Sequence, residues 1–382
     1  MTPPLWTRDF SLAFAANFLM AFAFYLLMPT LPLYLTEQLH MSKAVAGLIM
    51  SIYVIAALAM RPFSGFLIDM LPRKGLYLVS FALFVLFTGF YLGAVSVLAF
   101  VVVRFLHGLV WGTITTSGNT LAIDIIPAER RGEGIGYYGM AMNIAMACGP
   151  LTGLLLSEHH PFVDVFFTSI LSGVLGLLLA LLMRVPAQIP HAHRSISLNR
   201  FLLVKGIPSG FALLFITISY GVTLAYVAMY GKEHHIPNTG FFFVALAAGI
   251  VLARVTTGKL LDRNLCAQMG VVGGLLTAAS LLFLGLYPVA GVYFLLAFSL
   301  GFGYGMTFPA VQMMIINFGS HHQRGTANST YFTAFDLGVG TGMLLGGQIA
   351  QRHSLALAFL VVAGSALLGT LLLWAFHRQP TA

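Results

Sequence analysis

Twelve long apolar runs divide this chain of 382 residues, and they constrain its fold more than any other feature. A helix needs about 20 apolar residues to cross a hydrocarbon core about 30 Å thick. Hydrophobic residues make up 59% of the chain and charged residues only 8%, so a bilayer is the expected solvent. We predict membrane-spanning helices over residues 10–35, 44–68, 76–95, 97–122, 136–156, 163–183, 206–230, 239–261, 268–287, 291–316, 328–350 and 354–376.

The positive charge lies mainly in the connections on one side of these spans. If the N-terminus is cytoplasmic, thirteen Lys and Arg residues fall on the inner side, and only Lys43, Lys232 and Arg352 fall on the outer side. Cytoplasmic connections usually carry this excess, so both termini are predicted to be cytoplasmic. The net charge of +8 is spread over many short connections, which argues against a nucleic-acid-binding surface.

An internal repeat with an offset of 193 residues divides the chain into halves. The offset superposes Arg61 on Arg254, Gly112 on Gly305, and Gly149 on Gly342, among other pairs. The longest connection is basic and separates six spans from six. We therefore predict an N-terminal six-helix bundle over 1–184, a cytoplasmic linker over 185–205 and a C-terminal six-helix bundle over 206–382. Two halves of equal orientation imply a pseudo-two-fold axis along the membrane normal, which suits a rocking carrier.

The connection after the second span combines small and charged residues. It runs from Gly65 through Asp69 and Pro72 to Arg73 and Lys74. This pattern resembles the signature loop of the major facilitator superfamily, G-x-x-x-D-x-x-G-R-R/K, with Pro72 at the usual glycine. A weaker copy follows the eighth span. The resemblance implies a cytoplasmic gate of ion pairs formed by Gly65, Asp69, Arg73, Lys74, Asp124, Arg131, Gly258, Asp262 and Arg263.

Two further motifs lie inside the fourth and fifth spans. Arg104, Gly108 and Gly112 resemble the R-x-x-x-G-x-x-x-G stretch of proton-coupled members. Gly149-Pro150 and Gly153 resemble the antiporter element G-x-x-x-G-P-x-x-G-G, although Ala145 and Leu154 depart from it. The resemblance covers essentially the whole chain and is greatest to the twelve-span drug:proton antiporter and sugar-efflux branch. It implies an all-α membrane protein of two pseudo-symmetric bundles, alternating access and a monomer.

Ionisable residues within spans are candidates for proton coupling, because charges inside a bilayer are costly. Asp336 is the only acid deep inside a predicted span, and a buried carboxyl group can exchange a proton. Arg104 and His107 lie one turn apart on the fourth span, and we expect them to share a face. The alternative for all three is a structural role in helix packing. Drug antiporters often place the coupling acid in the first half, where the first span offers only Asn17.

Polar and aromatic residues inside the spans are candidates for lining a central cavity. They are Asn17, Tyr25, Trp111, Asn119, Asn143, Tyr220, Tyr304, Gln312 and Tyr331. Adjacent histidines occur in several connections, but no carboxylate or cysteine cluster completes a site, so we predict no metal centre. No ATP-binding motif of the form G-x-x-x-x-G-K-S/T is present, and we expect no cofactor other than a proton gradient as the energy source.

These features predict a secondary transporter of the cell inner membrane, and the embedded ionisable residues are too few for an enzyme. The expected activity is proton-coupled export of a small organic compound. The alternative is uptake of a sugar, organic acid or other metabolite by symport or facilitation. The expected partners are a small-molecule substrate, protons and the lipid bilayer.

Overall fold

The computed structural model describes residues 4–127, 130–185, 203–261, 265–319 and 324–378. Within these ranges it contains helices and connections but no strand. The helices are α1 (Arg8–Leu33), α2 (Lys43–Met70), α3 (Arg73–Phe90), α4 (Val97–Ile125), α5 (Arg131–His159), α6 (Phe162–Leu182), α7 (Ile207–Glu233), α8 (Phe241–Leu261), α9 (Cys266–Leu286), α10 (Ala290–Asn317), α11 (Arg324–Arg352) and α12 (Leu355–Arg378). A π-helical turn, Tyr34–Gln38, extends α1, and a 3₁₀ turn, Val204–Gly206, precedes α7.

The length and apolar character of these helices confirm an all-α, multi-pass membrane fold. Ten of the described helices are long and apolar enough to cross a bilayer. Helix α8 has a shorter apolar stretch, Phe241–Thr257. Helix α11 is long, but Asn328, Asp336 and Gln348 interrupt its apolar run. A helix with polar residues along its length is suited to the interior of a bundle, where neighbouring helices shield it from lipid.

The prediction for the third span, 76–95, is wrong at both ends. Helix α3 begins at Arg73 because Pro72, which has a φ of −57° and no N–H to donate, is well placed before a first turn. It ends at Phe90, and hydrogen-bonded turns follow, in which the Leu92 N–H donates to the Gly89 carbonyl at 3.1 Å. Tyr91 therefore lies in the connection between α3 and α4.

The chain forms two compact units that do not follow its order strictly. The first unit contains Met1–Leu31 and Ile55–Ser195, and the second contains Pro32–Val54 and Ile196–Ala382. The end of α1 and the beginning of α2 thus belong to the second unit. The predicted linker at 185–205 lies mostly outside the described residues, so the division into six and six spans stays a prediction.

Hydrogen bonds and close helix packing define each unit. In the first, α3 packs against α4 and α6. The hydroxyls of Ser169 and Ser172 on α6 donate to the Ala23 and Leu19 carbonyls of α1, both at 2.9 Å. In the second, α7 packs against α11 and α12, and α10 packs against α8 and α9.

Glycines related by the 193-residue repeat allow equivalent pairs of helices to pack closely. A Cβ added at Gly112 would lie 2.5 Å from the Ala57 carbonyl oxygen on α2. At the repeat-related Gly305, it would lie 2.9 Å from Ile250 of α8. Ala57 and Ile250 are themselves separated by the same offset. The two units therefore use equivalent glycines for equivalent helix contacts.

Candidate functional site

A buried polar network in the first unit joins two of the predicted proton-coupling residues. Arg104 and His107 on α4 are only 2% and 1% exposed. Both contact the Tyr91 hydroxyl, which lies 3.4 Å from Arg104 Nη1 and 2.9 Å from His107 Nδ1. The guanidinium carbon also lies 6.0 Å from the centre of the Tyr91 ring. Tyr91 is thus the shared partner of this pair.

Tyr91 provides a neutral hydroxyl between the two α4 side chains. Burial raises the pKa of Tyr91 above its ordinary value, although the Arg104 charge and hydrogen bond act in the opposite direction. The sequence analysis did not select this residue, although Tyr91 falls inside the predicted third span. No spacing rule connects it to Arg104, and only the turn after α3 brings them together.

Aromatic side chains surround the next turn of α4. Trp111 stacks on Phe24 of α1 with ring centres 4.1 Å apart, and Phe84 of α3 lies 5.9 Å from Trp111. The half-buried Tyr25 contacts Phe24 edge-to-face at 5.1 Å. Of the predicted cavity residues in this unit, Trp111 and Tyr25 therefore share one aromatic cluster.

The other predicted cavity residues of the first unit have different surroundings. The Asn17 amide donates to the Tyr138 carbonyl at 3.0 Å, and its side chain is buried, so it joins α1 to α5. Asn143 is half-buried on α5, and Asn119 is exposed on α4. Asn17 consequently contributes to helix packing.

A second aromatic cluster, in the second unit, contains most of the predicted cavity residues of α7, α10 and α11. Tyr220 contacts Tyr304 at 5.1 Å and Phe335 at 5.7 Å, measured between ring centres. Tyr331 lies 6.0 Å from Phe335, and Phe308 stacks on Tyr304 at 5.0 Å. We call these five side chains, Tyr220, Tyr304, Phe308, Tyr331 and Phe335, the α7–α10–α11 cluster.

Polar groups accompany this cluster. The Tyr304 hydroxyl lies 2.9 Å from the Ser219 hydroxyl. The amide of Gln312, another predicted cavity residue, donates to Asn328 Oδ1 at 3.0 Å and joins α10 to α11. Aromatic rings with hydrogen-bonding groups at their edges suit small organic molecules.

Asp336, the predicted coupling acid, follows Phe335 of the cluster on α11 and is half-buried.

At the end of the first unit that is predicted to be cytoplasmic, two gate residues form an ion pair. Arg73 Nη1 donates to both carboxylate oxygens of Asp124, at 2.9 and 2.8 Å. Lys74 donates to the Leu181 carbonyl at 3.1 Å. A Cβ added at Gly65 would meet no atom within 4 Å, so a close helix approach is not made at that glycine.

The remaining predicted gate positions lie outside the described part of the structure. Asp69, Arg131 and Gly258 lie in helices, but their surroundings are outside what the structure describes. Asp262 and Arg263 lie outside the described residues altogether.

Four of the predicted helix-packing residues lie at helix contacts or in the interior of the first unit. Gly108 is buried on α4. A Cβ added at Gly149 would lie 2.9 Å from the Leu26 nitrogen, and one at Gly153 would lie 2.5 Å from the Leu26 carbonyl oxygen. Pro150 lies between them inside α5 and is buried. The antiporter-like element therefore forms the contact of α5 with α1.

Charged residues also meet at the opposite ends of the helices, within the second unit. Lys43, the first residue of α2, pairs with Glu233 at the end of α7. The neighbouring Lys232 pairs with Glu37, with Nζ and Oε1 3.4 Å apart. The Lys43 backbone N–H donates to Gln351 Oε1 of α11 at 2.9 Å. Among the described residues, no group of three or more His, Cys, Asp or Glu side chains is arranged to hold a metal ion.

Comparisons with known proteins agree with this architecture. The family model described as "Major Facilitator Superfamily" matches residues 13–339 and, separately, 268–382. The chain is 28% identical over 393 residues to the "Multidrug resistance protein MdtG" of Salmonella arizonae, covering 97% of this chain and 96% of the relative. It is 27% identical over 403 residues to the protein of that name in Salmonella paratyphi B, covering 99% and 97%.

Solved structures share the fold at low sequence identity. A point mutant of the nucleoside transporter NupG aligns with a TM-score of 0.82 at 14% identity, over 97% of this chain and 100% of that one. The transporter PepTSo aligns with a TM-score of 0.80 at 13% identity, over 98% of both chains. The human organic anion transporter MFSD10 aligns with a TM-score of 0.66 at 18% identity, over 97% and 100%.

Proposed function

Because this chain belongs to the Major Facilitator Superfamily, we propose that it exports a small organic compound in exchange for protons by alternating access. The chain is a multi-pass membrane transporter and not an enzyme. The relatives named for multidrug resistance support a drug-like substrate and the outward direction of transport. The antiporter-like packing of Gly149 and Gly153 on α1 supports the same direction.

The position of Asp336 carries the proposal for the proton step. It lies near the middle of α11, roughly 18 Å from one helix end and roughly 24 Å from the other at about 1.5 Å per residue. A charged carboxylate at this depth is costly. A bound proton removes that charge, so a carboxyl group at this depth is suited to bind and release a proton during a transport cycle.

In the proposed cycle, the proton on Asp336 and the exported compound bind alternately. The α7–α10–α11 cluster provides aromatic surface for the compound. Arg104 and His107 hold the polar network of α4 through the Tyr91 hydroxyl. A proton entering along its gradient then drives the compound outward.

The orientation and assembly belong to the same proposal. Both termini are cytoplasmic, the carrier is a monomer in the inner membrane, and the Arg73–Asp124 pair belongs to its cytoplasmic gate. The observed pair between two residues of the predicted gate supports this assignment.

Proton flux in proteoliposomes with an internal pH dye tests the proposal. Cationic, anionic and neutral compounds are added outside, and wild type, Asp336→Asn and the control Asp164→Asn are compared. Asp164 is half-exposed on α6 in the first unit. Antiport predicts internal alkalinisation for a transported compound in wild type and the control, but not in Asp336→Asn. Acidification would mean symport, and an unchanged Asp336→Asn would exclude this residue as the proton carrier.

A further inference from the structure

A groove runs between α7 and α11 in the second unit, near the end where both helices begin. It is lined from Ile207 to Leu214 on α7 and from Thr330 to Leu337 on α11, and its volume is about 130 Å³. On each helix the lining residues are spaced three or four apart, so they share one face over about two turns. We propose that this groove, the α7–α11 groove, binds one acyl chain of an anionic phospholipid, whose headgroup lies beside Lys205.

The shape of the α7–α11 groove suits a hydrocarbon chain. Small residues form its floor, because a Cβ added at Gly210 would lie 3.5 Å from the Ala334 Cβ, an ordinary contact. Larger apolar residues form its accessible sides, since Ile207, Phe211 and Leu337 are 44%, 51% and 40% exposed. A chain lying in the groove would cover apolar surface on both helices.

The α7–α11 groove lies on the side of both helices that faces away from the α7–α10–α11 cluster. Phe211 and Tyr220 are nine residues apart on α7, which is two and a half turns at about 3.6 residues per turn, so they lie on opposite sides. Leu337 and Phe335 are two residues apart on α11 and also lie on nearly opposite sides. The groove is therefore separate from the proposed substrate surface of the second unit.

The end of the linker places a cation at the beginning of the groove. Leu203 is buried, and its N–H donates to Thr330 Oγ1, a groove residue, at 2.7 Å. The Thr330 hydroxyl donates in turn to a carbonyl of its own helix at 2.9 Å. The 3₁₀ turn Val204–Gly206 follows directly and carries the exposed Lys205, two residues before α7 begins. Thr330 thus holds the turn with Lys205 against α11.

No acidic residue competes for this cation in the neighbouring sequence. The chain has no Asp or Glu between Asp164 and Glu233, and none between Asp262 and Asp336. Among the described residues, the ion pairs do not include Lys205. The beginnings of α7 and α11 therefore present positive charge without a compensating carboxylate.

The charge and the position identify the occupant. Basic sites between membrane helices bind the headgroups of anionic lipids, and one Lys near the membrane surface favours such a lipid about fivefold. An anionic phospholipid supplies both an acyl chain for the apolar groove and a negative headgroup for Lys205. A zwitterionic phospholipid supplies the chain but no net charge, so the site should distinguish the two.

Quenching of tryptophan fluorescence by brominated acyl chains tests this site. Phe211→Trp places a reporter in the groove, after Trp6, Trp111 and Trp374 have been replaced by Phe. Val272→Trp, at a 54% exposed position on α9, is the matched control in the same background. Each protein is reconstituted in phosphatidylcholine vesicles that contain a small fraction of brominated phosphatidylglycerol or of brominated phosphatidylcholine.

The two reporters should differ in their preference for lipid charge. At Phe211→Trp, brominated phosphatidylglycerol should bind about fivefold better than brominated phosphatidylcholine. Adding Lys205→Gln should abolish this preference, and Lys205→Arg should retain it. Thr333→Phe, which fills the groove, should reduce quenching by both lipids. Val272→Trp should show nearly equal quenching by the two lipids.

Three results would overturn the proposal. Equal quenching by the two lipids at Phe211→Trp, or the same preference at Val272→Trp, would mean ordinary lipid contact. A preference that survives Lys205→Gln would exclude the headgroup contact. Quenching by neither lipid would mean that protein, such as a second copy of this chain, covers the groove.

A second measurement applies if the chain without its native tryptophans does not fold. Native mass spectrometry counts the phosphatidylglycerol molecules retained by the otherwise unchanged protein and by Lys205→Gln. The variant should retain one fewer, and equal numbers would contradict the site. None of these measurements involves transport or Asp336, so failure of the lipid site and failure of proton antiport are distinguishable.

Discussion

Arg73 and Asp124 form an ion pair in which one guanidinium nitrogen donates to both carboxylate oxygens, at 2.9 and 2.8 Å. The pair joins the beginning of α3 to the end of α4, and the Asp124 side chain is only 11% exposed. A partly enclosed pair is less screened than a surface pair, so it contributes more to the stability of these helix ends.

Substitution of Asp124 should therefore destabilise the first unit. Asp124→Asn removes the negative charge but keeps the size of the side chain, and we expect a loss of about 1–3 kcal/mol. The exposed pair Arg130–Glu133 provides a control, since Glu133→Gln should cost no more than about 1 kcal/mol. Thermal unfolding in detergent measures both, and equal effects would contradict the assignment of a stronger pair.

Removal of the Tyr91 hydroxyl should weaken the buried network around Arg104. Tyr91→Phe keeps the ring but leaves Arg104 and His107 without their shared partner, with an expected cost of about 1–3 kcal/mol. Tyr287→Phe changes an exposed hydroxyl and should have little effect. A melting temperature of Tyr91→Phe equal to that of the control would show that the network does not depend on this hydroxyl.

A methyl group at Gly112 should separate α4 from α2. The added Cβ would lie 2.5 Å from the Ala57 carbonyl oxygen, and overpacking of this kind costs about 1–3 kcal/mol. Gly364→Ala on α12 is the matched control, because a Cβ there meets no atom within 4 Å. We expect a lower melting temperature for Gly112→Ala and an unchanged or higher one for Gly364→Ala. The reverse order would contradict the close approach of α2 and α4.

The apolar runs predicted the helices well because a bilayer restricts spanning segments to a narrow range of lengths. The end of α3 was misplaced because apolar residues continue through the turn at Tyr91, where hydropathy carries no information about backbone direction. The motif around Arg73 predicted gate residues, two of which pair in the structure, but it did not specify which acid Arg73 contacts.

Contacts between distant parts of the chain were the least predictable. Tyr91 as the partner of Arg104 depends on a turn, and the contact of Tyr220 with Phe335 depends on the rotation of two helices about their axes. Lys43 and Lys232 were recognised only as exceptions to the positive-inside pattern. Their acidic partners could not be inferred, because no local spacing relates Lys43 to Glu233, which lies 190 residues away.

The most direct test of proton exchange through Asp336 compares two transport modes of one variant. Asp336→Asn proteoliposomes are assayed for accumulation of a transported compound driven by a pH gradient, and for exchange of labelled for unlabelled compound without a gradient. We expect gradient-driven accumulation to be lost and exchange to be retained, because the variant binds and carries the compound but no longer exchanges it for a proton. Accumulation at the wild-type level, or loss of both activities in a correctly folded variant, would contradict it.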